Sequence, residues 1–410
     1  MSIARDAWWR TVLVHYHEIG LKGGNRPSFE LKLCGNLEHA LAGLPLKSVR
    51  RLPGRIVVTF EPAADPAEVT ERLSWVPGLE SFSPARRFGL ELDRVAEAAA
   101  EAVVSRMPAS FGVKARRGYK SVPQSSQEIG ALVGAAIVAR TGLPVDLKKP
   151  ELWVRVEVLP REVLLYLDRH RGAGGLPVGT AGKVVALVSG GIDSPVAAWR
   201  LMKRGARCVF LHFHSHPFTD AASQEKTLEV VERLARIQGI SVLYSCPFAE
   251  LQKELVARAP APLRVILYRR FMVRVANVVA RRERALALVT GESVGQVASQ
   301  TLQNMATVDA VAELPVLRPL VGMNKNEIVA EAERLGTYEI SIQPHGDCCS
   351  FLMPRKPATT SRPDELAALE KEWPVDEWVA ATCARLGRRL VQPPGAVAPR
   401  EAMLAVDAIV

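Results

Sequence analysis

The chain has 410 residues, 48% of them hydrophobic, and a formal net charge of +10 at pH 7. A chain of this length folds into domains with their own cores, and no apolar run approaches the roughly 18–20 residues of a membrane-spanning helix. We therefore exclude an integral membrane protein and expect a cytoplasmic protein that binds no membrane, since the first residues also lack the apolar core of a signal peptide. The basic excess is compatible with a nucleic-acid partner without establishing one.

The first 170 residues alternate short strands with helices, which indicates an α+β organisation. The predicted strands, in chain order, are 11–16, 49–60, a short one around Phe82, 111–117, 152–158 and 162–168. The predicted helices are 28–42, a short one after residue 67, 92–107 and 126–141. A run of glycine and proline at 171–179 then predicts a linker.

A basic cluster lies at the end of the fourth predicted strand. Lys114, Arg116, Arg117 and Lys120 are close in sequence to Tyr119. Cationic groups bind phosphates and an exposed ring stacks on bases, so this composition suits RNA. A charged loop in solvent has the same composition, and the cluster alone leaves both interpretations open.

From residue 183 onwards, strands and helices alternate regularly. The predicted strands are 183–188, 207–213, 241–246 and 286–290, and the predicted helices are 195–204, 223–238, 263–283 and 324–335. This alternation predicts a doubly wound parallel sheet with helices on both faces. Ligands of such sheets bind at the carboxyl ends of the strands.

The run Ser-Gly-Gly-Ile-Asp-Ser at 189–194, called the anion loop below, joins the first of these strands to a helix. Its serines and glycines are Ser189, Ser194, Gly190 and Gly191. The glycines let the backbone approach a ligand closely, and the N–H groups at a helix start attract an anion such as pyrophosphate. Asp193 is suited to hold Mg²⁺ or to orient a donor. Because no Gly-Lys-Ser/Thr follows, this is not a Walker loop.

Three histidines alternate at the end of the second strand of this half. Residues two apart share one face of an extended segment, which places His212, His214 and His216 together. No carboxylate at a suitable spacing completes a metal site. We therefore predict no protein metal centre and expect a histidine beside a phosphate or nucleotide.

The six cysteines are too few for a disulfide scaffold in a chain of this length. Cys348 and Cys349 follow His345, and Arg355 and Lys356 come soon after them, which favours a reactive thiolate. The remaining cysteines, predicted to be inert, are Cys34, Cys208, Cys246 and Cys383. The chain contains no Cys-x-x-Cys, which argues against a metal or iron–sulfur centre.

Taken together, the motifs resemble the tRNA 4-thiouridine synthase (tRNA sulfurtransferase) family, which is also linked to thiamine thiazole synthesis. The resemblance covers about residues 11–362, and its most specific parts are SGGIDSPVA, GESVGQVASQTLQNM, LRPLVGMNKNEI and the Asp-Cys-Cys loop with MPRKPAT. The opening YHEIGLKGGNRPSFE resembles a small ferredoxin-like domain, and the basic strand with its neighbours resembles a THUMP tRNA-binding domain.

The resemblance implies an α/β fold in which a pyrophosphate-loop domain of the adenine nucleotide alpha hydrolase type follows α+β ferredoxin-like and THUMP domains. The implied boundaries are 1–62 for the ferredoxin-like domain, 63–170 for THUMP, 171–182 for the linker, 183–392 for the catalytic domain and 393–410 for a tail. Some family members carry a further rhodanese domain. About fifty residues after the Asp-Cys-Cys loop are too few for one, so we expect the sulfur-carrying thiol in this chain or on the donor.

The resemblance also implies a reaction. ATP with Mg²⁺ adenylates O4 of the tRNA uridine at position 8, pyrophosphate leaves, and a persulfide sulfur displaces AMP. The implied partners are tRNA, a cysteine desulfurase or other persulfide donor, and a thiamine sulfur-carrier protein, with a homodimer left open.

Site residues follow by position within the matching motifs. The implied ATP contacts, besides the anion loop, are Leu187, Val188, His212, Phe213, Arg269, Gly291 and Gln300. The implied catalytic residues are Asp193, Cys348 and, second to it, Cys349. For Gly291 we expect that the missing side chain makes room for the base or ribose.

Three alternatives stay open at this point. Another pyrophosphate-loop enzyme, of the amidotransferase or 2-thiouridine type, would keep the ATP site and change the substrate. A protein could transfer sulfur to a small carrier alone, and a non-catalytic RNA-binding protein could retain a degenerate nucleotide fold. The intact anion loop argues against the last of these.

Overall fold

The computed structural model describes residues 7–52, 54–120, 122–218, 222–343, 352, 354 and 356–393. The chain divides into two compact units, Met1–Gly174 and Gly175–Val410, called unit 1 and unit 2. Among the described residues, no helix has both the length and the hydropathy that crossing a bilayer requires.

Unit 1 contains two sheets. The first has the strand order β2-β3-β1-β4-β9 and the second the order β5-β8-β7-β6. The strands are β1 (Thr11–His15), β2 (Leu46–Leu52), β3 (Arg55–Phe60), β4 (Ser81–Pro84), β5 (Arg86–Phe88), β6 (Phe111–Arg117), β7 (Leu152–Val158), β8 (Val163–Tyr166) and β9 (His170–Arg171). The helices are α1 (Arg26–Ala40), α2 (Pro66–Ser74), α3 (Leu92–Arg106) and α4 (Ser126–Thr141), with 3-10 turns at Ala7–Arg10, Glu18–Leu21 and Gly23–Asn25.

Strand β1 is buried on both faces and joins two layers of the core. Val12 and Val14 lie in one apolar cluster with residues of α1 and α2. Leu13, between them, lies in a second cluster with Leu164 and Tyr166 of the other sheet. Alternation along the strand therefore divides these side chains between the helices and the second sheet.

The prediction of one strand at 49–60 is wrong, because the segment is a hairpin. β2 pairs antiparallel with β3 and the register runs to Leu52 opposite Arg55. Gly54 in the turn has φ +82°, a left-handed conformation that glycine adopts without strain. β2 is mostly polar and β3 mostly apolar, so apolar periodicity does not reveal the hairpin, and the Pro-Gly pair at 53–54 is its turn signal in the sequence.

Unit 2 is built on a six-stranded sheet of order β14-β13-β10-β11-β12-β15. The strands are β10 (Lys183–Leu187), β11 (Arg207–His214), β12 (Ser241–Pro247), β13 (Leu288–Val289), β14 (Val316–Leu317) and β15 (Gly387–Val391). The helices are α5 (Asp193–Lys203), α6 (Ala222–Gln238), α7 (Ala249–Arg258), α8 (Arg264–Glu283), α9 (Leu302–Asp309), α10 (Lys325–Leu335), α11 (Tyr338–Ser341), α12 (Pro363–Glu370) and α13 (Val375–Ala384), with 3-10 turns at Ala261–Leu263 and Ala298–Gln300.

The sheet is doubly wound, and its strand order reverses beside β10. The chain runs from β10 through β11 to β12 and then returns to place β13 on the other side of β10, with all these neighbours parallel. Connections leave β10 and β13 in opposite directions, so a crevice forms at their carboxyl ends. The anion loop follows β10 directly and therefore lies at this crevice.

Strand β15 is antiparallel to β12, with Ser241 opposite Val391 and Ser245 opposite Gly387. The sequence analysis did not predict it. Four of its five residues are exposed and only Val391 is buried, so the apolar alternation of a half-buried strand is missing.

Candidate functional site

The crevice at the carboxyl ends of β10 and β13 opens into a cavity of about 700 Å³. This volume suits a small-molecule ligand. The predicted nucleotide residues that line it are Leu187, Val188, Ser189, Gly191, Asp193, Ser194, His212, Phe213, Arg269, Gly291 and Gln300. Gly190 is the predicted nucleotide residue that does not line it. Residues far apart in sequence thus converge on one cavity.

The anion loop is closed on itself by its two serines. The Ser189 N–H donates to the Ser194 hydroxyl (2.9 Å), and the Gly191 N–H donates to the Ser189 hydroxyl (3.3 Å). Ile192 is the N-cap of α5 and makes no side-chain cap hydrogen bond. The first N–H groups of a helix have no partner within the helix, so this end can bind an anion.

Asp193 is held by two side chains from other elements. Its Oδ1 accepts from the Lys325 ammonium at the start of α10 (2.7 Å), and its Oδ2 accepts from the Gln296 amide (2.8 Å). The Asp193 side chain is 21% exposed. Its carboxylate therefore already orients a cation and an amide at the anion loop. Among the described residues, no group of three or more histidine, cysteine or carboxylate side chains could hold a metal ion.

Gly291 makes a close contact with the start of α5. A Cβ atom at this position would lie 2.7 Å from the backbone nitrogen of Ser194 and 2.9 Å from the carbonyl carbon of Asp193. The backbone of the anion loop thus occupies the space that we expected the missing side chain to leave for the base or ribose. Glycine is required here so that the turn after β13 can pack directly on the loop.

His212 is buried and has one ring nitrogen available to a ligand. Its Nδ1 lies 3.1 Å from the Val188 carbonyl oxygen and 3.3 Å from the Thr227 hydroxyl, which itself donates to the Ser223 carbonyl. Both neighbours therefore accept from Nδ1–H, and Nε2 keeps its lone pair. Nε2 is buried and has no hydrogen-bond partner. Burial lowers the pKa of His212 to about 4, despite its bond to Val188 and with a further lowering by His214, so the ring is neutral at pH 7 and Nε2 accepts hydrogen bonds.

Glu292 organises the far wall of the cavity, and the sequence analysis missed it. The Arg269 and Arg318 guanidinium groups each lie 2.6 Å from its carboxylate, and the Thr290 hydroxyl donates to it. Burial raises the pKa of Glu292, but the two arginines outweigh burial and the net pKa is lowered. Arg318 also forms a paired contact with Asp309. The negative charge of Glu292 therefore holds the guanidinium group of Arg269, a predicted ATP contact.

Part of the cavity lining is apolar. Val265, Met272 and Val273 of α8 line the cavity together with Phe213 and Val297. A mostly apolar cavity with a few fixed polar groups is typical of nucleotide and other small-molecule sites.

Unit 1 has a separate basic cavity of about 980 Å³. Lys114 and Arg116 line it, and the Lys114 ammonium lies 3.8 Å from the centre of the Trp153 ring. Three further basic residues, which sequence reasoning missed, also line it: Arg55 of β3, Arg155 of β7 and Arg169 between β8 and β9. On its other side, α4 presents Gly130, Ala131, Gly134 and Ala135. The small residues leave room for a bulky ligand beside the cations.

The predicted basic cluster is divided by the strand. Arg117 points away from Lys114 and Arg116 by the alternation of β6. Its guanidinium donates to the carbonyl oxygens of Val122 (3.4 Å), Pro123 (3.3 Å) and Gln124 (3.1 Å). Arg117 therefore holds the loop before α4. Lys120 is exposed and does not line the cavity.

Cys348 and Cys349 lie outside the described residues. The other cysteines are free thiols. Cys208 and Cys246 are 1% and 0% exposed, and burial raises the pKa of Cys208 to about 12. Burial raises the pKa of Cys383 as well, and that of Cys34 to about 11. These four thiols are therefore protonated near pH 7 and weak nucleophiles.

Three known protein families match successive parts of the chain. The ThiI ferredoxin-like domain matches residues 11–83, the THUMP domain residues 90–168, and the family described as thiamine biosynthesis protein (ThiI) residues 179–375. These descriptions agree with the α/β architecture of both units.

Similar proteins cover nearly the whole chain. A probable tRNA sulfurtransferase of Thermus thermophilus is 44% identical over 365 residues, which are 89% of this chain and 90% of that protein. One from Moorella thermoacetica is 42% identical over 94% of this chain and 98% of its own length. A crystal structure of a 4-thiouridine synthetase–RNA complex with bound ATP has a TM-score of 0.85 at 36% identity, covering 94% of this chain and 100% of that chain.

Proposed function

The chain belongs to the ThiI family of tRNA sulfurtransferases, and from that membership we propose that it is an ATP-dependent enzyme that converts a tRNA uridine, at position 8, to 4-thiouridine. The observation that carries the proposal is the convergence of the anion loop, His212, Arg269 and Gln300 on the cavity at the strand switch of unit 2. The 4-thiouridine synthetase–RNA complex with bound ATP, which resembles this chain over 94% of its length, supports the same ligands.

The site residues have distinct roles in binding ATP. The free N–H groups at the start of α5 and the hydroxyl of Ser194 bind the β and γ phosphates. Nε2 of His212 accepts a hydrogen bond from the nucleoside, since the ring is neutral and this nitrogen has no hydrogen-bond partner within the described residues. The apolar wall of α8 packs against the adenine ring.

Activation of the uridine explains why the reaction needs ATP. A carbonyl oxygen is a poor leaving group, whereas AMP is a good one. O4 of the uridine attacks the α-phosphorus of ATP, and the bond to pyrophosphate breaks. A persulfide sulfur then attacks C4 and AMP leaves with the original O4, which gives a C4–S–S disulfide. A second thiolate attacks the cysteine sulfur of that disulfide and forms a new disulfide bond with it, while the sulfur on C4 keeps the electrons of the broken bond and becomes the thiocarbonyl of 4-thiouridine. An external dithiol reduces the new disulfide before the next turnover. Lys325, held by Asp193 at 2.7 Å, stabilises the negative charge that develops on pyrophosphate.

Asp193 is the residue of the anion loop that would help to hold a Mg²⁺ ion bound to the phosphates of ATP, and the ion would neutralise part of their charge. Magnesium commonly takes one or two carboxylates and completes its coordination with phosphate and water. Asp193 is the carboxylate of the anion loop, and both of its oxygens already accept hydrogen bonds. The main role of Asp193 is therefore to hold Lys325 and Gln296, and a magnesium ion would share its remaining lone pairs.

Sulfur reaches the uridine through Cys348, with Cys349 as the second candidate. The four described cysteines are buried or half-buried thiols with raised pKa values, which makes them poor sulfur carriers. A cysteine desulfurase or other persulfide donor of the cytoplasm supplies the sulfur. The family description as a thiamine biosynthesis protein supports a second acceptor, a sulfur-carrier protein for thiazole synthesis.

The tRNA contacts unit 1 at the basic cavity. Lys114, Arg116 and Arg155 supply charges for phosphates, and the glycines of α4 allow close approach of a backbone. The THUMP match over residues 90–168 covers these residues.

Nucleoside mass spectrometry tests the proposal. Unmodified tRNA is incubated with the protein, ATP, Mg²⁺ and a desulfurase loaded with cysteine, and with a matched tRNA whose position 8 is cytidine. We expect 4-thiouridine from the first tRNA and none from the second. If pyrophosphate is released but the product is 2-thiouridine, or no thionucleoside forms, the protein has the function of another pyrophosphate-loop enzyme.

A further inference from the structure

Lys226 is a buried lysine on α6, next to the anion loop. Lys226 as a whole is 6% exposed, and lysine is seldom buried without a specific role. The neighbouring Thr227 contacts His212, and Ser223 of the same helix lines the cavity. The helix thus supports two walls of the ATP site.

The side chain of Lys226 lies where a side chain at position 190 would lie. A Cβ atom on Gly190 would be 2.8 Å from Cδ of Lys226, 3.1 Å from its Cε and 3.3 Å from its Cγ. Gly190 is outside the left-handed region, so its backbone admits alanine, and it does not line the cavity. The glycine at this position is therefore explained by the lysine stem behind the loop.

The far end of the side chain is also fixed. The Lys226 ammonium donates to the carbonyl oxygen of Gln343 (3.3 Å). A long side chain held at its end keeps one course along its whole length, so the stem is pressed on Gly190 in a defined place.

We infer that Lys226 is a positioning residue of the ATP site, whose stem behind Gly190 holds the anion loop in the shape that binds pyrophosphate. The inference rests on the proposed ATP site. It assigns Lys226 no contact with the substrate, so its effect is on the phosphates bound by the loop and not on the adenosine bound by the apolar wall.

The first test measures binding of inorganic pyrophosphate and of AMP by calorimetry on the full chain. We expect Lys226→Ala, which removes the stem, to weaken pyrophosphate binding about tenfold and AMP binding less than threefold. Lys226→Met, which keeps a stem and lacks the ammonium, should bind pyrophosphate within about threefold of the wild type. Lys226→Arg, which keeps a stem and a donor, should restore pyrophosphate binding to within about threefold of the wild type. Lys253→Ala is the matched control, since that side chain is 50% exposed, and should bind both ligands normally.

The second test uses the contact from its other side. Gly190→Ala should weaken pyrophosphate binding about tenfold because the new methyl group displaces the stem. In a Lys226→Ala background the same change should cost less than threefold, because the stem is gone, and this non-additivity identifies direct contact.

Several outcomes overturn the inference. They are normal pyrophosphate binding by Lys226→Ala, a tenfold loss in Lys226→Met that would assign the effect to the ammonium, equal losses of pyrophosphate and AMP, additive effects of the two alanine changes, and no pyrophosphate binding by the wild type. None of these readouts needs tRNA. A wild-type protein that binds pyrophosphate as described but makes no 4-thiouridine would refute the proposed function and leave the role of Lys226 standing.

Discussion

Protonation of His212 should destabilise unit 2 as the pH falls below neutrality. The ring is 5% exposed, and its pKa falls from 6.5 to about 4 on folding, chiefly because of burial. The unfolded chain therefore binds a proton between these two values while the folded chain does not. The contribution to stability is fully present above about pH 6.5 and is lost as the pH falls toward 4.

The size of the effect follows from the two pKa values. At about 1.4 kcal/mol per unit of pKa, the complete difference is worth roughly 3 kcal/mol. Between pH 7.5 and pH 5, proton linkage for this one group removes roughly 2 kcal/mol from the free energy of unfolding.

The matched variant is His212→Asn, which does not titrate and whose amide can replace Nδ1 as the donor to Val188. Urea unfolding of both proteins is followed at pH 5 and pH 7.5, using the transition that responds to the substitution. Other titrating groups, including the neighbouring His214, are present in both proteins. We expect the stability difference between the two to shrink by roughly 2 kcal/mol at pH 5.

Parallel stability–pH profiles for the two proteins would refute this reasoning, since His212 would then titrate equally in both states. A profile in which the wild type gains stability at pH 5 relative to the variant would show that the ring is protonated in the folded chain. That result would also remove Nε2 as an acceptor for the nucleoside.

Further predictions concern the reaction and the RNA. Lys325→Met should lower tRNA-dependent pyrophosphate release about 100-fold, since the charge that Asp193 orients is lost; release at the wild-type rate would exclude that role. Arg116→Ala should weaken tRNA binding and reduce the slope of log affinity against log salt by about one, whereas Arg117→Ala should leave the slope unchanged. Equal salt slopes for the two variants would mean that RNA binding does not depend on which face of β6 an arginine occupies. Cys348→Ser should keep pyrophosphate release and lose persulfide-dependent 4-thiouridine formation, because a hydroxyl cannot carry sulfane sulfur; full thiolation by this variant would assign the transfer to another thiol.

A local sequence pattern is sufficient to predict a feature that depends on a single segment of the chain. The anion loop could be predicted because glycines, hydroxyls and a carboxylate follow an apolar strand directly. The parallel sheet could be predicted because its strands are apolar on both faces. Periodicity predicts neither the hairpin at Gly54 nor strand β15, since the first strand of the hairpin and the edge strand β15 are both mostly polar. The hairpin is marked only by the Pro-Gly pair at 53–54.

The rest of the candidate site depends on contacts between distant residues. Glu292 is one acidic residue in a turn, and its importance appears only when α8 and β14 bring Arg269 and Arg318 to it. Gly291 lines the cavity, but its missing side chain makes room for the backbone of Ser194 and not for the base or ribose, because β13 returns beside β10. Such pairings depend on the strand order, which single-sequence reasoning does not specify.

Strand β15 also bears on the solubility of the chain. A sheet edge with free N–H and C=O groups is a template on which a second molecule can add a strand, and long flat edges of this kind lead to aggregation. β15 pairs along β12 from Ser241 to Ser245, and the strand at the opposite end of the sheet, β14, has two residues. The exposed arginines Arg388 and Arg389 of β15 then make the outer edge charged. A chain that ended before Gly387 would uncover the β12 edge, and we expect it to self-associate even with every residue of the ATP cavity still present.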